Sequence, residues 1–288
     1  MSTTGQTSPT IDYRIEERVA IVTLDRPRYR NAQSRILLEE LDDALNRAVR
    51  DPAVNVIVLR GAGDHFSSGH DVGTPEEMTD REQRPYAEGL VGRATRSWDL
   101  NVENTLRWRD LPKPTIAAVQ GFCIFGGWMI ASAMDLIVAA DDARFLATHF
   151  QYFSVPWDLG ARKTKELLWT ADFIDADQAC ELGLVNRVVP RAELDQHTLE
   201  LAHEIASKDR LLARMVKKSV NEMQDMMGYR TAISTAWSSY MLLQEANQLT
   251  EGQMAEQRRH PGVAATMGER PPEEDAGGGG DDSIGSGG

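Results

Sequence analysis

Cysteine is scarce in this chain: 288 residues carry two, Cys123 and Cys180. Their spacing offers no zinc ligand pair and their number no disulfide framework, so a reducing cytoplasm is the expected location. An excess of positive charge is also missing. Lys and Arg number 31 against 44 Asp and Glu, a net charge of -13, which argues against nucleic acid or an anionic membrane as a partner because both reward a basic face. No long apolar run is uninterrupted. The nearest, Phe122 to Ala140, is broken by Gly126, Gly127 and Asp135 and reads as a buried turn, helix and strand rather than a membrane span. The start, Met1-Ser2-Thr3-Thr4-Gly5-Gln6, has neither the basic nor the apolar part of a signal peptide. What remains is an ordinary soluble composition, 41% apolar and 26% charged, in a chain long enough for one large core plus an accessory segment.

Local patterns divide that length. Residues 11 to 24 read as two short strands around Glu16-Glu17-Arg18. Leu37, Leu41, Leu45 and Ala48 recur at helical spacing behind Ser34, a candidate N-cap, and Asp51-Pro52 stops the helix. A strand at Val54 to Leu59 follows, then strands at Thr115 to Val119 and Leu136 to Ala140. Thr74-Pro75-Glu76-Glu77 has the form of a helix start, with a capping threonine, proline at the first position and glutamate three residues on. The polar stretch from there to Asp110, with Tyr86, Trp98 and Trp108, reads as a surface helical excursion with half-buried aromatics. Asp175 caps a short helix ended by Gly183, and a strand runs on through Val189. The pattern is helical from Arg191 to about Arg259. The final stretch, Glu269 to Gly288, is acidic and glycine-rich and cannot bury enough surface to fold. The expected organisation is a flexible N-terminus at 1–10, a core at 11–200, a helical region at 201–260 and a disordered acidic tail at 261–288.

Two glycine turns carry the chemistry: Phe66-Ser67-Ser68-Gly69-His70-Asp71-Val72, and Gly121-Phe122-Cys123-Ile124-Phe125-Gly126-Gly127-Trp128 between strand-like flanks. Together they resemble the crotonase (enoyl-CoA hydratase/isomerase) family. Asp25-Arg26-Pro27-Arg28-Tyr29-Arg30-Asn31-Ala32 resembles the family's "R-P-x-x-x-N-A" segment, and Ala179 to Val185 its "A-x-x-x-G-L-V" signature. The resemblance implies an α/β fold, a crotonase-like spiral of β-β-α repeats with a C-terminal helical trimerisation region. It also implies an acyl-CoA substrate, no cofactor beyond the CoA moiety, no metal, and assembly as a homotrimer or homohexamer.

Residue by residue, the resemblance places the two backbone N–H donors of an oxyanion hole at His70 and Gly126, where they would hold a thioester oxygen as it becomes an enolate. In that reading the His70 side chain is only a pocket wall. CoA contacts fall at Arg26, Arg28, Arg30, Ser68, Asp71, Val72 and, on a C-terminal helix, Lys217. The acyl pocket falls at Trp128, Met129, Tyr152 and Trp157. Positions where family hydratases carry two glutamates hold Met129 and His149 here. Met129 cannot transfer a proton, whereas His149 titrates near neutrality and is either catalytic or a satisfied structural residue. Asp158, in Val155-Pro156-Trp157-Asp158-Leu159-Gly160, is the other candidate: Trp157 beside it would desolvate the carboxylate. The competing reading has Asp158 capping the helix containing Lys163 to Leu168. Three functions stay open on this evidence. They are double-bond chemistry on an enoyl-CoA, hydrolysis or dehalogenation through Asp158 and His149, and acyl-CoA binding without catalysis.

Overall fold

A computed structural model of the chain describes residues 9–147 and 154–248. His149, Tyr152 and the 261–288 tail therefore lie outside the described residues. Strands β1 (Ile11–Glu16) and β2 (Val19–Leu24) form an antiparallel hairpin, and β2 is buried along its whole length. From β2 onward the sheet is parallel, adding β3 (Val56–Gly61), β4 (Thr115–Val119), β6 (Leu136–Ala140) and β9 (Arg187–Val189) in the order β1-β2-β3-β4-β6-β9. A second sheet has the order β5-β7-β8, from Phe122–Ile124, Arg144–Leu146 and Ile174–Asp175.

This split resolves the β-β-α rhythm. In β4-β5-α5 (α5, Gly126–Ser132) and in β6-β7-α6 (α6, Val155–Thr170) the first strand joins the large sheet and the second the small one. The near-continuous apolar sequences of β2, β4 and β6 follow, because helices cover both faces of the large sheet. Helix α1 (Arg35–Arg50), capped by Ser34, which accepts from the Leu37 N–H, lays Leu37, Leu41 and Leu45 into one core. On the opposite face α8 (Leu194–Ala206) packs Leu201, Ala202 and Ala206 against Val56, Ile116 and Val138.

The stretch before Asp110 is helical, as α2 (Pro75–Gln83, capped by Thr74), α3 (Gly89–Ser97), a π-helical stretch (Trp98–Glu103) and α4 (Asn104–Arg109). The capped helix α7 (Ala176–Glu181) closes a full capping box between Asp175 and Gln178. The C-terminal helices are α8, α9 (Arg210–Met226) and α10 (Tyr229–Gln248).

Two boundaries differ from the sequence pattern. The strand expected at Val54 to Leu59 begins at Val56, because the Val54 N–H still donates to Asp51 O in the turn leaving α1. The helix expected after the Gly126-Gly127 pair begins at Gly126 itself, since the direction change is made one residue earlier, at Phe125.

Candidate active site

The chain leaving β3 is zipped between two neighbours. On one side Phe66 N and Ser67 N donate to Gln120 O and Phe122 O at 2.7 and 3.0 Å, and Ile124 N donates to Ser67 O at 3.1 Å. On the other, Gln33 N donates to Gly69 O at 2.8 Å and Asp71 N to Gln33 O at 3.0 Å. The first glycine turn is thereby fixed against the loop before α5. The approach is close: a Cβ at Gly69, whose φ is +89°, would lie 2.8 Å from Ile124 O and 3.1 Å from Gly126 N. One at Gly126 would lie 2.4 Å from Gln33 Oε1 and 2.8 Å from His70 Cε1. Glycine at 69 lets the two backbones meet, and glycine at 126 leaves room for the Gln33 and His70 side chains.

Two amides come out of this contact uncommitted. Among the described residues neither His70 N–H nor Gly126 N–H donates to a backbone carbonyl. The reason differs for each. His70 sits at a parallel bridge to Gln33 where the flanking residues make the bonds, and Gly126 is the first residue of α5, whose opening amides have no partner within the helix. Phe125, the residue before it, holds φ 51° and ψ -114°, strained for a non-glycine residue and of the kind found at functional turns. The His70 imidazole stands over Gly126. Burial, then the charge of Arg96, push its pKa down to about 4, so the ring is neutral near pH 7.

Around these amides several expected CoA contacts meet side chains already in use. Arg26 is buried and donates to Ala32 O at 2.6 Å, Asp71 Oδ2 at 2.9 Å and Thr74 Oγ1 at 3.0 Å. Burial opposes the Asp71 charge, yet hydrogen bonds from Thr74, Gly73 and Arg26 hold its carboxyl below the usual range. Ser68 is buried, its N–H donating to Arg30 O at 2.9 Å. Lys217 is also buried, 2.9 Å from Asp135 Oδ2 and donating to Lys113 O at 3.2 Å. Arg28 and Val72 are exposed, and Arg30 is half-buried. Of the expected acyl-pocket residues, Trp128 is buried edge-on against Phe145, Met129 is buried one turn beyond Gly126, and Trp157 is half-buried with its ring 5.3 Å from Tyr229.

Asp158 lies in the first turn of α6. It borders a cavity of about 550 Å³ whose walls include Arg109, Ser132, Met134, Lys217 and Tyr229. That cavity opens at the C-terminal end of α5, and its described walls contain neither His70 nor Gly126. The structure thus brings His70 and Gly126 together, and the described walls of the cavity at Asp158 are a different set of residues. Helix α6 breaks at Gly160 (φ 74°, ψ 160°), which leaves Asp158 in a short first turn where Ser154 Oγ donates to its carboxylate. No backbone N–H donates to that carboxylate among the described residues, so the capping role is not the one its bonds serve. Burial, opposed by the Ser154 hydrogen bond, pushes Asp158 up to about 6. Burial, and next the Asp158 charge, raise the Tyr229 hydroxyl as well.

Three participants carried no sequence signal strong enough to find: Gln33, whose side chain meets Gly126; Tyr229, brought in from the next helix pair; and Arg96. Ser154 was legible in principle, four residues before Asp158 on one helix face. Among the described residues no group of three or more His, Cys, Asp or Glu side chains is placed to hold a metal ion, and no helix is long and apolar enough to cross a membrane.

The family model for enoyl-CoA hydratase/isomerase matches residues 14–261. The chain belongs to this family. Among its relatives, the Mycobacterium tuberculosis (strain H37Rv) protein EchA13 is 41% identical over 244 residues, 78% of this chain and 77% of that one. The crotonyl-CoA hydratase of Syntrophomonas wolfei is 33% identical over 234 residues, 77% of this chain and 84% of that one. The crystal structure of an enoyl-CoA hydratase/isomerase from Xanthobacter autotrophicus Py2 superposes with a TM-score of 0.78 at 30% identity, covering 91% of this chain and 97% of the other. The crotonase spiral and its C-terminal helices are thus the fold of this enoyl-CoA hydratase/isomerase family member.

Proposed function

We propose that the enzyme acts on an acyl-CoA through a thioester enolate, with the oxygen held between the N–H groups of His70 and Gly126, and that hydration or isomerisation of an enoyl-CoA is its reaction. The observation that carries this reading is the pair of uncommitted amides at the contact of the two turns. Preorganised donors of this kind are worth about 10²- to 10³-fold in rate each. The crotonyl-CoA hydratase named among the relatives supports the substrate class. Met129, in the position where family hydratases carry a glutamate, offers no proton, so proton transfer falls to Asp158, whose carboxyl at about 6 suits exchange near neutral pH. We further propose that copies of the chain assemble as a trimer or a pair of trimers, in a reducing cytoplasm, with no cofactor beyond the CoA of the substrate.

The oxyanion assignment is tested without turnover. A dialkylaminocinnamoyl-CoA bound with its carbonyl between two donors has its absorption band moved to longer wavelength by the polarisation. His70→Ala keeps its amide and retains the red shift, whereas Gly126→Pro removes a donor and loses it while CoA thioesters still bind. A red shift lost in His70→Ala and kept in Gly126→Pro overturns the assignment. A second reading, hydrolysis through Asp158, is favoured by its raised carboxyl and predicts release of free CoA from a saturated acyl-CoA.

A further inference from the structure

The stretch from 81 to 109 contains six arginines. Five have a carboxylate within 3.1 Å: Arg81, Arg84, Arg93, Arg107 and Arg109. Arg96 has none among the described residues, although it is half-buried. Its guanidinium lies 4.7 Å from the centre of the Tyr86 ring, which Arg35 also approaches, at 4.3 Å. Arg35 is neutralised there by Asp80 at 2.5 Å, so among the described residues the unbalanced charge in the cluster is that of Arg96. A half-buried cation without a counter-charge is costly in desolvation, and a ligand carboxylate would relieve that cost.

The cluster adjoins the oxyanion turns. Arg35 opens α1 two residues after Gln33, whose side chain meets Gly126 and whose backbone brackets His70. After burial, the charge of Arg96 is the second cause that holds the His70 imidazole below its ordinary range. Such a place is near the thioester, and therefore a full pantetheine arm away from the phosphates of the same CoA. Arg96 also lies in the last turn of α3, just before the π-helical stretch, an irregularity frequent at functional sites.

We infer that Arg96 receives a carboxylate at the far end of the acyl group, so that the preferred substrates are mono-CoA thioesters of dicarboxylic acids. The inference rests on the enolate reading for the position of the thioester. A guanidinium can take such a carboxylate through two parallel hydrogen bonds. With a net charge of -13, the protein as a whole disfavours an extra anion, so any preference for one has a local cause.

Calorimetric titration with hexanoyl-CoA and with the mono-CoA thioester of hexanedioic acid tests this, since the two differ in the terminal group alone and neither needs to turn over. The expected result is at least ~10-fold tighter binding of the dicarboxylic thioester to the wild type. That ratio should collapse towards one in Arg96→Gln and survive in part in Arg96→Lys, with circular dichroism verifying the fold of each. A wild-type ratio at or below one overturns the inference. So does a ratio that persists in Arg96→Gln, including an equal loss for both ligands, which would make Arg96 a contact of the CoA or of the thioester oxygen. Failure of the enolate reading registers separately, as a missing red shift with the cinnamoyl probe while the ratio stands.

Discussion

Asp158 is a carboxyl that the fold holds against its own charge. Its pKa rises from 3.8 to about 6, chiefly through burial, so between those values the folded state binds more protons than the unfolded one and stability falls as pH rises through the window. At ~1.4 kcal/mol per unit the effect is at most about 3 kcal/mol. Asp158→Asn keeps an acceptor for the Ser154 hydroxyl and removes the charge. It is expected to raise the melting temperature at pH 8, by roughly 2–4 °C for each kcal/mol relieved, and to give no gain at about pH 3, below both values. If Asp158 transfers the proton, kcat falls at least ~10²-fold in the same variant. Differential scanning calorimetry at the two pH values and steady-state rates on crotonyl-CoA decide the matter. A melting temperature that drops at pH 8 would restore the capping role, and full activity together with a raised melting temperature would confine Asp158 to its cavity. Loss of activity in His149→Ala alone would move the proton to histidine.

At the level of elements, Arg26 and Asp71 form a clasp. Their 2.9 Å pair, with Thr74 on both partners, ties the short 3-10 turn at Pro27–Tyr29 to the His70 turn and to the start of α2. Breaking a buried pair by removing one partner costs about 3–5 kcal/mol, so Asp71→Ala should lower the melting temperature by at least ~6 °C and weaken the cinnamoyl red shift by loosening the His70 amide. If the melting temperature holds and CoA affinity falls, Arg26 faces phosphate instead. The same elements explain what the sequence could and could not reveal. Ser34, Thr74 and Asp175 were legible as helix caps because a cap is a local bond between residues three apart. The Gly69 and Gly126 turns were legible because close backbone approach demands glycine. Nothing local distinguishes an arginine spent inside, such as Arg26, from one left unpaired, such as Arg96. Lys217 read as a CoA contact for a similar reason: its ion pair is with Asp135, 82 positions earlier in the sequence.

For the whole molecule, the decisive feature is α9. Its apolar residues Leu211, Leu212, Met215, Val216 and Val220 are 39–64% exposed, whereas the one buried residue of the helix is Lys217. The apolar residues of the C-terminal helices therefore divide: Leu201 and Ile205 pack onto the sheet with Val56 and Ile116, and those of α9 are left in solvent. Burying them between copies of the chain would gain about 25 cal/mol for each Å² removed from water, and a contiguous exposed apolar face of this kind marks an association surface. Leu212 and Val216 also line the Asp158 cavity, so association on this face would narrow its mouth. Multi-angle light scattering should accordingly find three or six times the 32.0 kDa chain mass. Leu212→Glu combined with Val216→Glu, which places carboxylates on the face without touching the sheet, should shift the population to monomer. Burial within a single copy of the chain is what raises the Asp158 carboxyl to about 6, so the loss of stability between pH 4 and 6 persists in the monomeric variant. A wild-type chain that runs as a monomer at micromolar concentration would sink the assembly. A double variant that stays assembled would place the interface on another face.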